Sequence, residues 1–314
     1  MLDLVRQCQL IQAGDLRAVS RAISVVEGGG AAGQDLLAAL GPRRPSVRVI
    51  GVTGPPGVGK STTVDGLTSA YRAAGLRVGV VAIDPSSPFS GGAFLGDRIR
   101  MQGHAGDPDV FIRSMANQGH LGGLAVGVPH VIDVLAAAGC DRILVETVGV
   151  GQAEIGVDLL ADSAVLVLAP NTGDMIQGAK AGILEIADVI VVNKADLVGA
   201  SEAARELRYA VTPIGARVGA WTPSILMTVA SCGEGVDDLV TLLDEHFDWA
   251  TASGQLEIQR RRQVAFHIEV AAIEAMRAAL QTDSGRAAMQ RAVDSVLSGE
   301  TNTCAAAARL ATVV

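Results

Sequence analysis

A glycine-rich segment between two predicted elements has the residue types and spacing of a phosphate-binding loop. Residues 54–61 read Gly-Pro-Pro-Gly-Val-Gly-Lys-Ser and match G-x-x-x-x-G-K-[ST] at every defined position. Glycines let successive backbone N–H groups point at phosphate oxygens, and the helix that follows adds positive potential at its N-terminus. Lys60 is predicted to reach the β- and γ-phosphates, and Ser61 to bind Mg²⁺ through its hydroxyl. The predicted phosphate-binding residues are Gly54, Pro55, Pro56, Gly57, Val58, Gly59, Lys60, Ser61 and Thr62.

A second motif, Asn193-Lys194-Ala195-Asp196, has residue types that read a guanine base. The Asp196 carboxylate can accept hydrogen bonds from the N1–H and the exocyclic amine of guanine, and adenine offers no such pair of donors. We expect Asn193 to tie this loop to the phosphate loop and the stem of Lys194 to lie over the base. The loop 228–235 is expected to give a backbone N–H, at Val229 or Ala230, to guanine O6. GTP and GDP are therefore the predicted ligands.

Acidic residues lie at the ends of two of the predicted strands. Asp84 and Glu146 come at strand ends, where oxygen ligands hold Mg²⁺ and its waters beside a phosphate loop. Asp97, in the irregular stretch 85–106, is either a further ligand that closes onto the metal or a solvated charge. The predicted metal ligands are Ser61, Asp84, Asp97 and Glu146.

The stretch after Glu146 is predicted to contain the hydrolytic groups. Gly149 can donate its N–H to the γ-phosphate, and either Gln152 or Glu154 can orient the attacking water. Lys180 either contacts phosphate or a partner, or is an ordinary surface residue. The predicted catalytic residues are Lys60, Glu146, Asp97 and Gln152.

Alternating strands and helices must position these residues. Six apolar segments read as strands, and their continuous apolar character predicts a parallel sheet covered on both faces. They are residues 47–53, 77–83, 142–147, 163–169, 188–192 and 225–229. A helix is predicted after the N-cap Asp15, another over residues 61–74, and helices throughout the tail after Gly254. We predict an α/β fold with helical extensions at both ends.

The apolar stripe of the tail needs a covering surface. It contains Ala265, Ile268, Ala272, Met276 and Ala279. Either the rest of the chain or a second copy can cover it. The tail also contains Arg260-Arg261-Arg262, which is either a solvated helix face or a contact for an acidic partner.

Composition limits the partners. The chain has 314 residues, 49% of them hydrophobic, with net charge −8, which argues against a nucleic-acid partner. No apolar run is long enough to span a membrane. Four cysteines without a Cys-x-x-Cys pair indicate reduced thiols in a cytoplasmic protein, and five scattered histidines argue against a transition-metal site.

Together the motifs resemble P-loop GTPases of the MeaB/ArgK type, the chaperones associated with methylmalonyl-CoA mutase. The resemblance lies in residues 51–63, 82–87, 91–101, 146–154, 173–188 and 193–196. It implies a Rossmann-like P-loop NTPase domain over residues 45–250, an N-terminal helical extension over 1–44 and a C-terminal helical dimerisation arm over 251–314.

The resemblance also implies a function. Members of the family look like homodimeric GTPases that gate adenosylcobalamin loading of methylmalonyl-CoA mutase and protect that enzyme, with residues 173–182 as a switch that signals to it. Two alternatives remain, a transport-associated ATPase or kinase of the lysine/arginine/ornithine type and a metallochaperone GTPase.

Overall fold

Seven parallel strands form one sheet in the computed structural model, which describes residues 2–85, 102–104, 106–117, 127–147, 156–170, 183–211 and 220–313. In chain order the strands are β1 Arg48–Thr53, β2 Val78–Pro85, β3 Val110–Asn117, β4 Arg142–Thr147, β5 Ser163–Leu168, β6 Val189–Asn193 and β7 Ser224–Thr228. Their order across the sheet is β3-β2-β4-β1-β5-β6-β7. The strand that leads into the phosphate loop therefore lies at the centre.

Ten α-helices lie within the described ranges. They are α1 Leu2–Gln12, α2 Leu16–Gly28, α3 Gly30–Leu40, α4 Lys60–Ala73, α5 Val128–Ala137, α6 Ala200–Val211, α7 Val236–Ala252, α8 Gln255–Leu280, α9 Asp283–Leu297 and α10 Thr303–Val313. Helices α4 and α7 pack on one face of the sheet, where Leu67 and Leu239 are fully buried. Helix α6 packs on the other face through Ala204 and Leu207. The predicted α/β fold, with a parallel sheet flanked by helices and helical extensions, is confirmed.

Strand β3 is a seventh strand that the sequence analysis missed. It pairs with β2 along its whole length and lies at the edge of the sheet. Its sequence interrupts the apolar pattern with Arg113, whose Nε donates to Glu27 Oε1 of α2 at 3.1 Å. An edge strand that forms an ion pair with a helix lacks the continuous apolar run by which the central strands were recognised.

The N-terminal helix predicted after Asp15 is confirmed as α2. Asp15 has extended backbone angles, and its Oδ1 accepts the N–H of Ala18 at 2.7 Å. A carboxylate in this position satisfies one of the N–H groups that the first helical turn leaves unpaired.

A polar and aromatic cluster around the buried side chains of Ser163 and His246, the Trp–His cluster, lies at the edge of the sheet where the strands begin. It consists of Ser163, Asp188, Trp221, His246 and Trp249. His246 is 2% exposed; its Nδ1 lies 2.8 Å from Ser163 Oγ and its Nε2 lies 3.2 Å from Asp188 Oδ1. The ring centroids of the two tryptophans are 4.9 and 5.8 Å from that of His246. The cluster therefore attaches α7 to the first residue of β5 and to Asp188, the residue directly before β6.

Interpretation of the arginine triplet as a solvated helix face is wrong for Arg260. Its Nε and Nη2 donate to the two oxygens of Asp162, at 2.8 and 3.0 Å, and Nη2 also donates to Val47 O at 2.9 Å. Asp162 is 1% exposed and accepts the Val49 N–H through Oδ2 at 2.9 Å. A buried carboxylate needs such partners, and this one lies 98 residues away along the chain, beyond the reach of any local sequence pattern.

The chain divides into two compact units, Met1–Arg260 and Arg261–Val314. Within the second unit, α9 packs against α10, and Ala288 and Ala306 are buried. Among the helices of the described ranges, none combines the length and apolar character that crossing a membrane requires.

Cysteine accessibility gives a test of this packing. Cys140 is fully buried, and burial raises the pKa of its thiol from 9.0 to about 12, whereas Cys232 and Cys304 are exposed. We expect a thiol reagent to label Cys232 and Cys304 in the native protein and Cys140 only on unfolding, because the thiolate is the reactive form. Mass spectrometry after timed labelling tests this expectation, and rapid native labelling of Cys140 would contradict it.

The raised pKa of Cys140 also predicts that the stability of the fold falls as pH rises from about 9 towards 12, since only the unfolded thiol ionises in that window.

Candidate nucleotide-binding site

The predicted site residues converge because every strand is parallel, so all carboxyl ends share one edge of the sheet. Glu146 is in register with Val52 of β1 and with Ala82 of β2. Asn193, the last residue of β6, is in register with Thr228 of β7. The phosphate loop, the base loop (residues 193–196) and the acidic positions are thus brought to the same edge.

The phosphate loop runs from β1 into α4 through three glycines with positive φ: Gly54, Gly57 and Gly59, at 139°, 79° and 100°. Helix α4 begins at Lys60. The Lys60 side chain turns back over the loop, where Nζ donates to Gly54 O at 2.7 Å and to Pro55 O at 2.9 Å. Only 7% of Lys60 is exposed. The ammonium group is therefore held against the loop that the sequence predicts to bind phosphates.

The remaining predicted loop residues differ in burial. Val58 is fully buried, whereas Pro56, Gly57 and Thr62 are exposed. Val58 acts as an anchor of the loop in the core, and the exposed residues leave its outer side open to a ligand.

Ser61 and Glu146 contact each other where the phosphate loop leads into α4. Ser61 Oγ donates to Glu146 Oε1 at 2.7 Å, and the two residues are 7% and 4% exposed. A hydroxyl and a carboxylate at the start of α4 are hard oxygen donors of the kind that Mg²⁺ prefers. These two residues fit a magnesium ion, which would be held next to the phosphates.

Asn193 joins the phosphate loop to the base loop, as expected from its position. Its Nδ2 donates to Val58 O at 2.9 Å. Its Oδ1 accepts from Thr228 Oγ1 at 3.1 Å and from the Ala230 N–H at 3.0 Å. Asn193 is 3% exposed, so one buried amide fixes three segments relative to one another.

Lys194 makes a second connection between the two loops. Its Nζ donates to Gly57 O at 2.7 Å. Among the described residues it is the one non-glycine residue with positive φ, 57°. The chain thereby turns sharply after β6, and Asp196 stands exposed two residues later. Such a backbone strain is tolerated where the surroundings fix it.

The two backbone N–H groups predicted to read guanine O6 have partners within the protein. The Val229 N–H donates to Glu234 O at 3.0 Å, and the Ala230 N–H donates to Asn193 Oδ1 at 3.0 Å. Guanine O6 would have to share the Ala230 donor with Asn193 or replace it there. The sequence motif alone does not reveal this competition.

Several predicted residues lie outside the described part of the chain. They are Asp97, Gly149, Gln152, Glu154 and Lys180, with the switch segment 173–182. Asp84 lies near the end of β2, in register with Ala116, and its side chain is also outside the described part. Their predicted roles stay predictions.

One feature of the site was not anticipated. Thr53 and Thr147, the last residues of β1 and β4, are both 1% exposed, and Thr147 Oγ1 donates to Thr53 Oγ1 at 2.9 Å. The sequence signal was a threonine closing each apolar strand directly before a loop motif. Threonine is common in strands, so this signal alone carries little weight.

Gly59→Ala should disrupt the loop connection. A Cβ on Gly59 would lie 2.3 Å from Asn193 Nδ2, and the backbone φ of 100° adds strain. We expect a loss of stability of about 1–3 kcal/mol and a GDP affinity about tenfold lower. Denaturant unfolding and GDP titration measure the two effects.

Gly75→Ala is the matched control for this change. Gly75 has a similar positive φ of 76°, but no atom lies within 4 Å of the added Cβ. It should lose some stability and keep its GDP affinity. Equal GDP affinities for the two variants would contradict the role given to the Gly59–Asn193 contact.

Comparisons with known proteins agree with this geometry. The family model described as "Methylmalonyl Co-A mutase-associated GTPase MeaB" matches residues 19–284. A Pyrococcus abyssi protein named as a GTPase is 46% identical over 82% of this chain and 80% of its own length. GTPase ArgK of Escherichia coli K12 is 34% identical over 83% of this chain and 81% of its own length. The crystal structure of an LAO/AO transport system kinase matches with a TM-score of 0.72 at 25% identity, covering 99% of this chain and 97% of that one. The predicted P-loop NTPase fold is confirmed.

Proposed function

Since the chain belongs to the MeaB family of methylmalonyl-CoA mutase-associated GTPases, we propose that it hydrolyses GTP to GDP and phosphate as a chaperone that gates adenosylcobalamin loading of methylmalonyl-CoA mutase and protects that enzyme. The observation that supports the nucleotide-binding part of this proposal most directly is the Asn193 side chain, which ties the base loop to the phosphate loop at Val58 and to the loop 228–235 at Ala230. The segments proposed to bind the phosphates and the base are thereby joined to one another.

The proposed chemistry needs charge neutralisation and positioning more than covalent participation by the protein. Lys60 neutralises charge on the transferring phosphoryl group, together with backbone N–H groups of the loop. Ser61 and Glu146 would hold Mg²⁺, and the ion would supply further charge neutralisation at the phosphates. Asp84 and Asp97 would complete the set of metal-holding residues. Gln152 or Glu154 orients the water, and Gly149 donates its N–H to the γ-phosphate.

Guanine selectivity follows from the carboxylate of Asp196. It accepts two hydrogen bonds from guanine, and ATP would leave it desolvated and without them. Val229 and Ala230 border the base, and Lys194 covers it.

The proposed assembly is a homodimer formed through residues 251–314. Ile268 and Met276, two members of the predicted tail stripe, are 64% and 45% exposed. An apolar helix face of this kind fits a second copy of the chain as its cover.

The four cysteines are free thiols, which fits the reducing cytoplasm that we propose as the location of this protein.

A transport-associated kinase is the second candidate, because an LAO/AO transport system kinase is among the proteins of similar structure. The two functions differ in what receives the phosphoryl group, water or another molecule. Labelled phosphate on a second protein would favour the kinase.

The test of the proposed function is nucleotide turnover by the purified protein, alone and with an adenosylcobalamin-dependent methylmalonyl-CoA mutase, with ATP as control. We expect slow GTP-selective hydrolysis that accelerates when the mutase is added, because ordering of switch segments by a partner completes such sites. If the rate of GTP hydrolysis does not change when the mutase is added, the chaperone role is contradicted and the GTPase activity is not. A preference for ATP over GTP would contradict both the chaperone role and the GTPase activity.

A further inference from the structure

The hydroxyl pair of Thr53 and Thr147 connects the two strands that carry the nucleotide motifs. Thr53 is followed directly by Gly54 of the phosphate loop. Thr147 is followed by the stretch in which the sequence predicts Gly149 and Gln152 to act on the γ-phosphate and the water. The contact thus lies where both motifs leave the sheet.

The hydroxyl groups are not needed to build the sheet there. Residues preceding Thr53 and Thr147 on the same face of β1 and β4 are Gly51 and Val145, without polar side-chain atoms. Valine has nearly the shape of threonine and the same preference for strands. Two buried hydroxyls cost free energy unless they bond to each other, as these do.

The chain returns to β1 after the predicted hydrolytic stretch as well. Val157 packs directly on Gly51, so closely that a Cβ on Gly51 would lie 2.2 Å from Val157 Cγ2. Five residues later, the Asp162 N–H donates to Val49 O at 2.7 Å. The strand that carries the phosphate loop therefore contacts the chain on both sides of that stretch, through Thr147 before it and Val157 after it.

These two contacts differ in kind. Val157 on Gly51 is apolar packing, which tolerates small displacements. The Thr147–Thr53 hydrogen bond is directional, and it fixes the end of β4 relative to the start of the phosphate loop. On the other face of β4, the neighbouring Glu146 is tied to Ser61 at the start of α4. The end of β4 is thus linked to both sides of the phosphate loop.

We propose that the buried hydroxyl pair of Thr53 and Thr147 is a positioning contact that sets the phosphate loop relative to the chain leaving β4, and that it contributes to hydrolysis and not to nucleotide affinity. The inference rests on the proposed GTPase function. In this proposal neither threonine touches the nucleotide. Thr53 acts through the phosphate loop that follows it, and Thr147 acts through the stretch of chain that follows β4.

The decisive variant is the double replacement Thr53→Val and Thr147→Val. Removing both partners together leaves no unsatisfied hydroxyl, so we expect the unfolding midpoint to stay close to that of the wild type. GTP and GDP dissociation constants should stay within about twofold, while kcat for GTP hydrolysis falls about tenfold, since small misplacements of reacting groups cost rate. Thr147→Ser keeps the hydroxyl and should restore most of kcat.

Thr68→Val is the matched control. Thr68 is also 1% exposed, and its hydroxyl donates to Val64 O within α4 at 2.7 Å, away from the ends of β1 and β4. Its kcat should equal that of the wild type. An unchanged kcat in the double variant would overturn the inference. So would a loss of nucleotide affinity and stability as large as the loss of kcat. In both cases GTP turnover by the wild type would still support the GTPase function. Absence of GTP turnover by the wild type would overturn both.

Discussion

Replacing Lys60 by alanine is expected to lower the rate of GTP hydrolysis by about 10³-fold, because it removes a fixed positive charge from the developing transition state. The side chain is already in place for this role. Its Nζ is held by two carbonyls of the phosphate loop, Gly54 O and Pro55 O, and little of the residue is exposed. Pre-positioning of the ammonium group means that no reorganisation is required when charge develops.

The measurement is single-turnover hydrolysis at saturating GTP, with GDP affinity and unfolding measured on the same preparation. Lys60→Arg keeps the charge but replaces a compact ammonium by a planar guanidinium, and it should not restore the rate. Arg205→Ala removes a positive charge from the exposed surface of α6 and should leave the rate unchanged. A Lys60→Ala rate within about tenfold of the wild type would remove Lys60 from the proposed chemistry.

Replacing Asp196 by asparagine is expected to change which base the protein binds. The affinity for GTP should fall about 10²-fold, because two hydrogen bonds to a charged acceptor are lost or weakened. Xanthosine triphosphate should bind better than GTP, since its base has a carbonyl where guanine has the exocyclic amine, and the asparagine amide can donate to it. Asp196 is exposed next to the sharp turn at Lys194, so the replacement should cost little stability.

Competition binding with GTP, xanthosine triphosphate and ATP measures this change. Asp35→Asn, on the exposed surface of α3, removes the same charge elsewhere and should keep the preference for GTP. Unchanged GTP affinity in Asp196→Asn would show that the base is read by other groups. The base loop would then have lost its proposed role, whereas the phosphate loop would not.

Local motifs were predicted well because their residues carry their own geometry. The glycines of the phosphate loop adopt the positive φ values that such a turn requires, and α4 begins at Lys60, one residue before the predicted start. Apolar runs located the central strands because both faces of those strands are buried. In these parts of the chain the residue types that form the motif also determine the local backbone conformation, so the motif predicts the structure.

Contacts between distant segments could not be predicted in the same way. Arg260 reads as part of a charged triplet, and only the fold brings it to Asp162. The Ala230 N–H reads as a free donor, and only the fold brings it to Asn193 Oδ1. The hydroxyl pair of Thr53 and Thr147 joins strands that are 94 residues apart. Each depends on how distant elements pack together, which periodicity does not specify.

The Trp–His cluster provides an intrinsic fluorescence probe of one part of the fold. The chain has two tryptophans, and both belong to this cluster, at the edge of the sheet opposite to the phosphate loop. Tryptophan fluorescence therefore reports on a single location, where α7 meets the beginnings of β5 and β6. Emission should shift when that packing opens in denaturant and stay nearly constant when a nucleotide binds at the other edge. Unfolding and binding can thus be followed separately in one unlabelled sample, the first by tryptophan and the second by a fluorescent nucleotide.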